Sequence, residues 1–573
     1  MTGKTSRRPP ALFTSLHHYE RRWLRGDVIA GLTVWAVLVP EALAYASIAG
    51  VSPVVGLYAA PGALLFYAAF GSSRQLVTGP GAATAALSAA AVGQLAAGDA
   101  GTFVQLTITL ALTVGVIAIV AGLLRFGFVA NFISAPVMKG FIIGLALTII
   151  AGQIPKLLGI SKGEGGFFRQ LWHVLVNLNE TSAITLLVGA LSLLLVLGLK
   201  RWLPVVPASL VTVLLGIAAV HLFGLAQHGV EIIGHIQGGL PSFGIPSVPA
   251  RSYLDLAPAA VGVMLVGFAE GLGAAQTYAQ KNHQEIDPNR ELIGLGAANI
   301  GAGLSAGMVV EGSLSKTAVN ASAGGRTQVS GLVVALLTIV TLLFLTGLFE
   351  DLPEATLAAV VIAALIDLVD IPALTRLYRL HTTGLSRIYG FAARPDFISA
   401  LAALFGVLIF DTLPGLFIGI AISITLLLYR ASRPNVAVLG RVPGSTDFED
   451  VKRNKDNETI AGVAVLRVES GLFFANADAI RTQVLAHAGD GTKAIVLDGQ
   501  TVPFIDVTAA RMLESLAEDL ERDGIRLLLA RDVGQVRDVL REEEKSELVR
   551  IRAYPTVQDA VTAALKPPAR DGG

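Results

Sequence analysis

From Asp27 to Arg430 the chain is a near-continuous series of apolar segments separated by short polar stretches. A helix needs about 20 apolar residues to cross a bilayer, and by that ruler the region divides into roughly fourteen segments. Residues 101–124, 181–199, 326–348 and 414–430 are long and uninterrupted. Residues 36–48, 80–97, 291–306 and 313–322 are short or broken by Gly and Pro. Short, broken segments are where membrane transporters place their substrate sites.

After Arg433-Pro434 the pattern changes: charges appear throughout, and short apolar runs alternate with amphipathic ones. Strands are predicted at 461–468, 493–497 and 525–530, and helices at 476–486, 507–520 and 557–565, the last with Thr556 as its N-cap. That alternation predicts a soluble α/β domain of about 110 residues. The predicted organisation is an N-terminal tail (1–26), an all-α transport domain (27–432), a linker (433–457), the α/β domain (458–567) and a disordered tail (568–573).

Composition agrees with residence in lipid. The chain is 53% hydrophobic and 15% charged, against about 25% charged in soluble domains. Zero net charge gives no reason to expect a nucleic-acid partner. With no cysteine, disulfides and thiolate chemistry are excluded. The first 26 residues carry Lys4, Arg7, Arg8, Arg21, Arg22 and Arg25 without the apolar core of a signal peptide, and read as a cytosolic tail. Basic residues mark cytoplasmic loops. Arg74, Arg125, Lys200, Arg201, Lys281, Arg290, Arg326, Arg376, Arg379, Arg387 and Arg394 fall in alternate loops, whereas Asp99, Glu350, Asp351, Glu354 and Asp411 fall in the opposite ones. The loop 155–180, with Lys156, Lys162, Arg169, Glu164 and Glu180, is mixed. The pattern predicts a multi-pass inner (plasma) membrane protein with both termini in the cytosol.

Two short segments are the candidates for chemistry. Leu76–Thr78 reads as extended, and Gly79-Pro80-Gly81-Ala82-Ala83-Thr84 as the opening of an Ala-rich helix, with Pro in the first turn. Far along the chain, residues 306–310 read as extended, and Glu311-Gly312-Ser313-Leu314-Ser315-Lys316 as the opening of a second short helix. A helix N-terminus presents unpaired N–H groups and about half a positive charge, and so binds anions. Paired as an inverted repeat, the two ends meet near the membrane midplane. An anion between them would receive backbone N–H donors, hydroxyls from Thr84, Ser313 and Ser315, and the charge of Lys316. Small residues of this kind also serve close helix packing. Glu41, Glu270 and Lys316 are charges inside predicted spans, where insertion costs at least about 2.5 kcal/mol, so each marks a candidate function. Glu270 and Glu41 are candidate proton carriers; a structural Glu270–Lys316 ion pair is the alternative. Tyr45, one turn past Glu41 on the same face, either lines the site or packs. The nine histidines (17, 18, 173, 221, 228, 235, 283, 381 and 487) form no metal-like pair. No phosphate-binding loop or catalytic triad is present, so neither an enzyme nor a cofactor is expected.

Several motifs resemble the sulfate permease (SulP) family, whose eukaryotic members form solute carrier family twenty-six and include prestin. They are Asp27–Thr33, Val39–Ala46, Ile286–Leu292 through Asn299, Gly312–Asn320 and Gly324–Gln328. The stretches 494–498 and 502–508 resemble the STAS domain that closes such chains. The resemblance implies a seven-plus-seven inverted repeat of fourteen spans, with a core moving against a gate. It also implies an anion site between the two half-helices, and a homodimer. In anti-sigma-factor antagonists of the STAS fold, a Ser at the position of Thr508 is phosphorylated; here Thr508 reads as a helix N-cap whose modification is open. Family members commonly carry Gln at the position of Glu41 and often Arg at that of Lys316. An additional carboxylate in an anion site favours a substrate taken up with protons, or one itself partly protonated. The expected function is secondary active transport of small anions (sulfate, bicarbonate or dicarboxylate) by proton-coupled symport. An uncoupled exchanger or channel, sodium coupling, a nucleobase symporter and an anion-sensing signalling protein are the alternatives.

Overall fold

The computed structural model describes residues 12–17, 19–96, 99–128, 134–161, 163, 165–203, 206–379, 394–489, 491–536, 538 and 552–566. Lys4, Arg7, Arg8, His18, Lys162, Glu164, His381, Arg387 and the tail 568–573 lie outside them. The chain forms two compact units, residues 1–378 with 396–422 and residues 379–395 with 423–573.

The first unit is helical. In chain order its helices are α1 (Leu24–Ile48), α2 (Pro53–Phe70), α3 (Ala82–Gly93), α4 (Ala100–Leu123), α5 (Ala135–Leu158), α6 (Phe167–Val176), α7 (Ala183–Trp202), α8 (Ala208–Phe223), α9 (Ala250–Lys281), α10 (Pro288–Leu304), α11 (Leu314–Ser322), α12 (Val329–Val340), α13 (Glu354–Ile366) and α14 (Ile371–Arg379). α15 (Pro395–Phe410) and α16 (Thr412–Ala431) follow, and α16 runs from the first unit into the second. Among the described residues nine helical stretches are long and apolar enough to cross a membrane, and three apolar helices are shorter, α3, α8 and α15. Residues 36–48, expected to be broken, instead belong to the unbroken 25-residue helix α1, with Pro40 inside it.

Lipid offers no hydrogen bonds, so polar side chains in these helices turn back on the backbone. Thr107, Thr109 and Thr113 of α4 each donate to the carbonyl four residues earlier, at 2.7–2.9 Å. Glycines allow helices to touch backbone to backbone. A Cβ at Gly115 of α4 would stand 2.8 Å from the Gly296 carbonyl of α10, and one at Gly62 of α2 would overlap the Gly301 carbonyl of α10. Helix starts are capped where the chain leaves the apolar layer: Asp99 accepts from the Thr102 N–H at 2.7 Å, and Asp287 from the Asn289 N–H at 2.9 Å.

Between α2 and α3 lies a short strand, β1 (Val77–Gly79), which pairs antiparallel with β2 (Glu311–Ser313), just before α11. Val77 faces Ser313, and Gly79 faces Glu311. Both half-helices therefore begin later than expected: Pro80 lies in extended chain ahead of α3, and residues 311–313 are strand, because each extended run satisfies its backbone on the other.

The second unit holds a six-stranded sheet in the order β4-β3-β5-β6-β7-β8. The strands are β3 (Val436–Arg441), β4 (Phe448–Asp450), β5 (Val463–Val468), β6 (Ala494–Asp498), β7 (Arg526–Ala530) and β8 (Arg552–Tyr554). β5 to β8 run parallel, and β3 is antiparallel to β4 and β5. Helices α17 (Ala477–Leu485), α18 (Val507–Arg522) and α19 (Val557–Leu565) supply the rest of the core. The stretch 433–457, expected to be a linker, contributes β3 and β4, because Val436, Ala437 and Leu439 bury against β5. Thr556 caps α19 as expected, accepting from the Asp559 N–H at 3.0 Å.

Candidate functional site

The strand pair sets the N-termini of α3 and α11 side by side, and different groups face the two ends. In α11, Ser313 is the N-cap, and its hydroxyl accepts from the Lys316 N–H at 3.3 Å. In α3 the N-cap position is Gly81, which has no side chain to cap with. Glu311 of β2 occupies that space: a Cβ on Gly81 would overlap its carboxylate. The Glu311 side chain therefore lies over the start of α3. The strand leading into one half-helix thus places a carboxylate at the start of the other.

Lys316, in the first turn of α11, is 1% exposed. Its ammonium lies 2.9 Å from Glu41 Oε2, donates to the Pro80 carbonyl at 3.0 Å, and sits 5.2 Å from the centre of the Tyr45 ring. The alternative pairing with Glu270 is not formed. Glu270, on α9, instead faces the same cavity as Glu311. Glu41, Glu270, Glu311 and Lys316 all face one cavity of about 530 Å³. Tyr45, Gly81, Ala82, Ala83, Ser313, Leu314 and Ser315 also line it. The opposite wall comes from Ile142, Leu145 and Ala146 of α5 and from Leu365 and Leu368 around α13. Lys200, Thr277, Tyr278 and Asp367 complete the lining at the ends of α7, α9 and α13.

Of the residues expected at the site, three are placed otherwise. Gly79 is buried in β1. Pro80 contributes through its carbonyl, as an acceptor for Lys316. Thr84 is fully buried and directs its hydroxyl toward the Gly81 carbonyl (3.4 Å) instead of the cavity. Thr508 lies in the second unit and is exposed. It is not the helix cap: Asp506 is the N-cap of α18, accepting from the Ala509 N–H at 2.8 Å. The main residue missed was Glu311. Its signal, a carboxylate between apolar residues of a membrane segment, stands in the run Val309-Val310-Glu311-Gly312, but reading it as the start of a helix hid its place against the start of α3.

Two buried carboxylates hold the half-helices in place. Asp27 of α1 is fully buried and accepts from the N–H groups of Arg326 (2.6 Å) and Thr327 (3.1 Å) and from the Thr327 hydroxyl (2.7 Å), clamping the chain just after α11. Glu291 of α10, also fully buried, accepts from the Ser72 and Ser73 N–H groups (3.0 and 2.9 Å), the Tyr67 hydroxyl (2.8 Å) and the Ser72 hydroxyl, clamping the chain just before α3. The Asn299 amide pairs with both backbone groups of Val310, at 2.9 and 3.0 Å, in the manner of a neighbouring strand. Thr317 accepts from the Val77 N–H at 3.1 Å. α3, α11 and the strands between them are therefore one cross-tied body.

Comparison with known proteins agrees with this architecture. Residues 24–390 match the model of the sulfate permease family, and residues 454–560 that of the STAS domain. A probable sulfate transporter of Mycobacterium tuberculosis is 36% identical over 526 residues, covering 91% of this chain and 92% of that protein. High affinity sulfate transporter 1 of Stylosanthes hamata is 30% identical over 577 residues, covering 95% and 84%. The structure of SLC26A9 superposes with a TM-score of 0.86 at 23% identity, covering 97% of this chain and 92% of that one, which shows a shared fold. The transmembrane domain of a cyanobacterium bicarbonate transporter, BicA, superposes with a TM-score of 0.61 at 25% identity, covering 70% and 98%. With helices suited to a membrane, a half-helix pair around a buried lysine and a C-terminal α/β domain, this chain belongs to the sulfate permease family.

Proposed function

We propose that the protein is a secondary active transporter of small oxyanions or carboxylates, and that it takes them up together with protons. The observation that carries this reading is the buried Lys316 ammonium at the N-terminus of α11, facing a cavity already furnished with Glu41, Glu270 and Glu311. Lys316 and the free N–H groups of the two half-helices attract an anion. Ionised carboxylates beside it repel one: at an effective dielectric near 20, two like charges about 6 Å apart cost about 3 kcal/mol. Two carboxylates facing one cavity repel each other as well as the anion, and a proton taken up by either relieves both. A proton resident on that pair lowers the repulsion felt by an entering anion, and this links the two fluxes. Glu270 and Glu311 are the proposed proton pair, and Glu41 holds Lys316 between cycles. The sulfate transporters among the relatives support sulfate as one substrate; the surplus of carboxylates supports a dicarboxylate.

The mechanism is alternating access. The cross-tied half-helices and the anion move as one body against α5, α7 and α13. With α10 and α11 added to the twelve apolar stretches, the unit has fourteen membrane segments in two inverted sets of seven. The cavity reaches Lys200, Tyr278 and Asp367, at helix ends where basic residues cluster, and the positive-inside pattern makes that side the cytosol. This conformation is then the inward-open one. The family resemblance extends the reading to a homodimer in the inner membrane, with the STAS domain in the cytosol.

Uptake of labelled sulfate, bicarbonate and fumarate into proteoliposomes tests the reading. Uptake of one of them that rises with an imposed inward proton gradient is the expected result. Uptake indifferent to protons would refute proton coupling; dependence on sodium, or on a counter-anion inside, would identify the sodium-coupled or exchange alternative.

A further inference from the structure

The second unit carries an exposed aromatic cluster that its own core does not cover. Phe474 is 73% exposed, Val507 50% and Phe504 44%. The ring centres of Phe473 and Phe504 are 6.1 Å apart, and those of Phe473 and Phe474 are 5.9 Å apart. The cluster is held in shape: the Phe474 N–H donates to Asp506 at 2.8 Å, and the Leu472 N–H to the Phe504 carbonyl at 3.1 Å. Exposed apolar patches of this kind mark interaction surfaces.

Its position indicates what covers it. Asn476, two residues beyond Phe474, donates to the carbonyl of Ala431, the last residue of α16, at 3.3 Å. Gln483 of α17 donates to the Pro434 carbonyl at 3.1 Å. The aromatic loop is therefore tied to the point where a 20-residue apolar helix ends. At 1.5 Å per residue such a helix is about 30 Å long, the thickness of the hydrocarbon layer. Arg430 and Arg433 stand at the same point, with the Arg433 guanidinium 4.7 Å from the centre of the Tyr429 ring. Aromatic rings and basic residues together at a helix end are the composition of a membrane interface, where rings enter the headgroup layer and cations meet anionic lipid.

We propose that Phe473, Phe474 and Phe504 form a wedge that docks the α/β domain onto the face of the bilayer at which α16 ends, with an anionic lipid surface as its partner. This rests on α16 crossing the membrane and is independent of what the protein transports. Docking would tether the domain beside the membrane independently of its covalent link.

The chain has no cysteine, so Phe474→Cys and Asp523→Cys each give one labelling site in the full-length protein. Asp523 is exposed just past α18, a helix that starts beside Phe504 and, by its rise per residue, is about 24 Å long. Each variant carries a nitroxide and is reconstituted in nanodiscs containing phosphatidylglycerol. Collisions are measured with oxygen, which concentrates in lipid, and with a polar nickel chelate, which stays in water. Oxygen collisions should dominate at 474 and nickel collisions at 523. Nickel-dominated collisions at both sites would overturn the proposal. So would a label at 474 shielded from both reagents, the signature of a protein partner such as a second copy of the chain. Phe504→Cys reads the same wedge if Phe474→Cys does not fold.

Discussion

Glu41→Gln separates the two demands placed on Lys316. The ammonium is 1% exposed and lies 2.9 Å from the Glu41 carboxylate, whose side chain is 9% exposed. At that distance the gross attraction is about 6 kcal/mol for an effective dielectric near 20. Much of this offsets the desolvation of the two groups, and removing one partner of such a buried pair typically costs about 3–5 kcal/mol. Gln preserves the shape and one acceptor oxygen, so the loss should fall at or below the low end of that range. The ligand-free variant should melt below the wild type. A transported anion then replaces the missing charge, and because Glu41 no longer competes for Lys316, the anion should bind at least about tenfold more tightly, equivalent to 1.4 kcal/mol. Binding to the folded state alone raises stability with ligand concentration, so the anion should raise the melting temperature of Glu41→Gln more than that of the wild type. The assay is thermal melting in nanodiscs across a titration of sulfate or fumarate. An anion-induced rise no larger than in the wild type would refute the idea that Glu41 and the substrate share Lys316.

Other substitutions probe the remaining parts of the site. Glu311→Gln removes one acid from the proposed proton pair while keeping the side chain's shape, so proton influx accompanying the anion should disappear while anion exchange continues; a pH-sensitive dye inside proteoliposomes reads the protons and labelled anion the exchange. Gly81→Ala forces the Glu311 carboxylate away from the start of α3, with a loss of about 1–3 kcal/mol for the overpacked site and a larger fall in uptake rate than that stability loss explains; melting and uptake measured together separate the two. Lys200 pairs with Asp367 at 3.1 Å, with side chains 34% and 67% exposed, and an ion pair this open contributes at most about 1 kcal/mol to stability. Lys200 also donates to the Ala363 carbonyl at 2.7 Å, so Lys200→Met should lower stability by about 1–2 kcal/mol and raise KM several-fold with little change in kcat, as expected for a residue that attracts the anion at the cavity mouth. Glu291→Ala strands two buried N–H groups and the Tyr67 hydroxyl, at about 1–3 kcal/mol each, and should abolish recovery of folded protein; Glu291→Gln should retain part of it.

Much of this architecture is carried by local pattern. Runs of about twenty apolar residues can satisfy their backbones in lipid only as helices, so the long spans, such as α4 and α7, are legible to within a few residues. The change of composition after Arg433 marks the second unit for the same reason, and Lys316 stands out because an ammonium is costly in an apolar segment. What the linear chain does not determine is which groups meet. Three carboxylates, Glu41, Glu270 and Glu311, are equally available to Lys316 by composition; only the packing of α1 on α11 assigns Glu41 to Lys316, and only the pairing of β1 with β2, more than two hundred residues apart, sets Glu311 against Gly81. The same long-range pairing moved the starts of both half-helices, and the pairing of β3 with β4 and β5 turned the apparent linker 433–457 into sheet. Hydrophobic periodicity records how each residue meets the bilayer or its own core, whereas the choice of partner for a buried charge depends on distances that exist only once the helices are assembled.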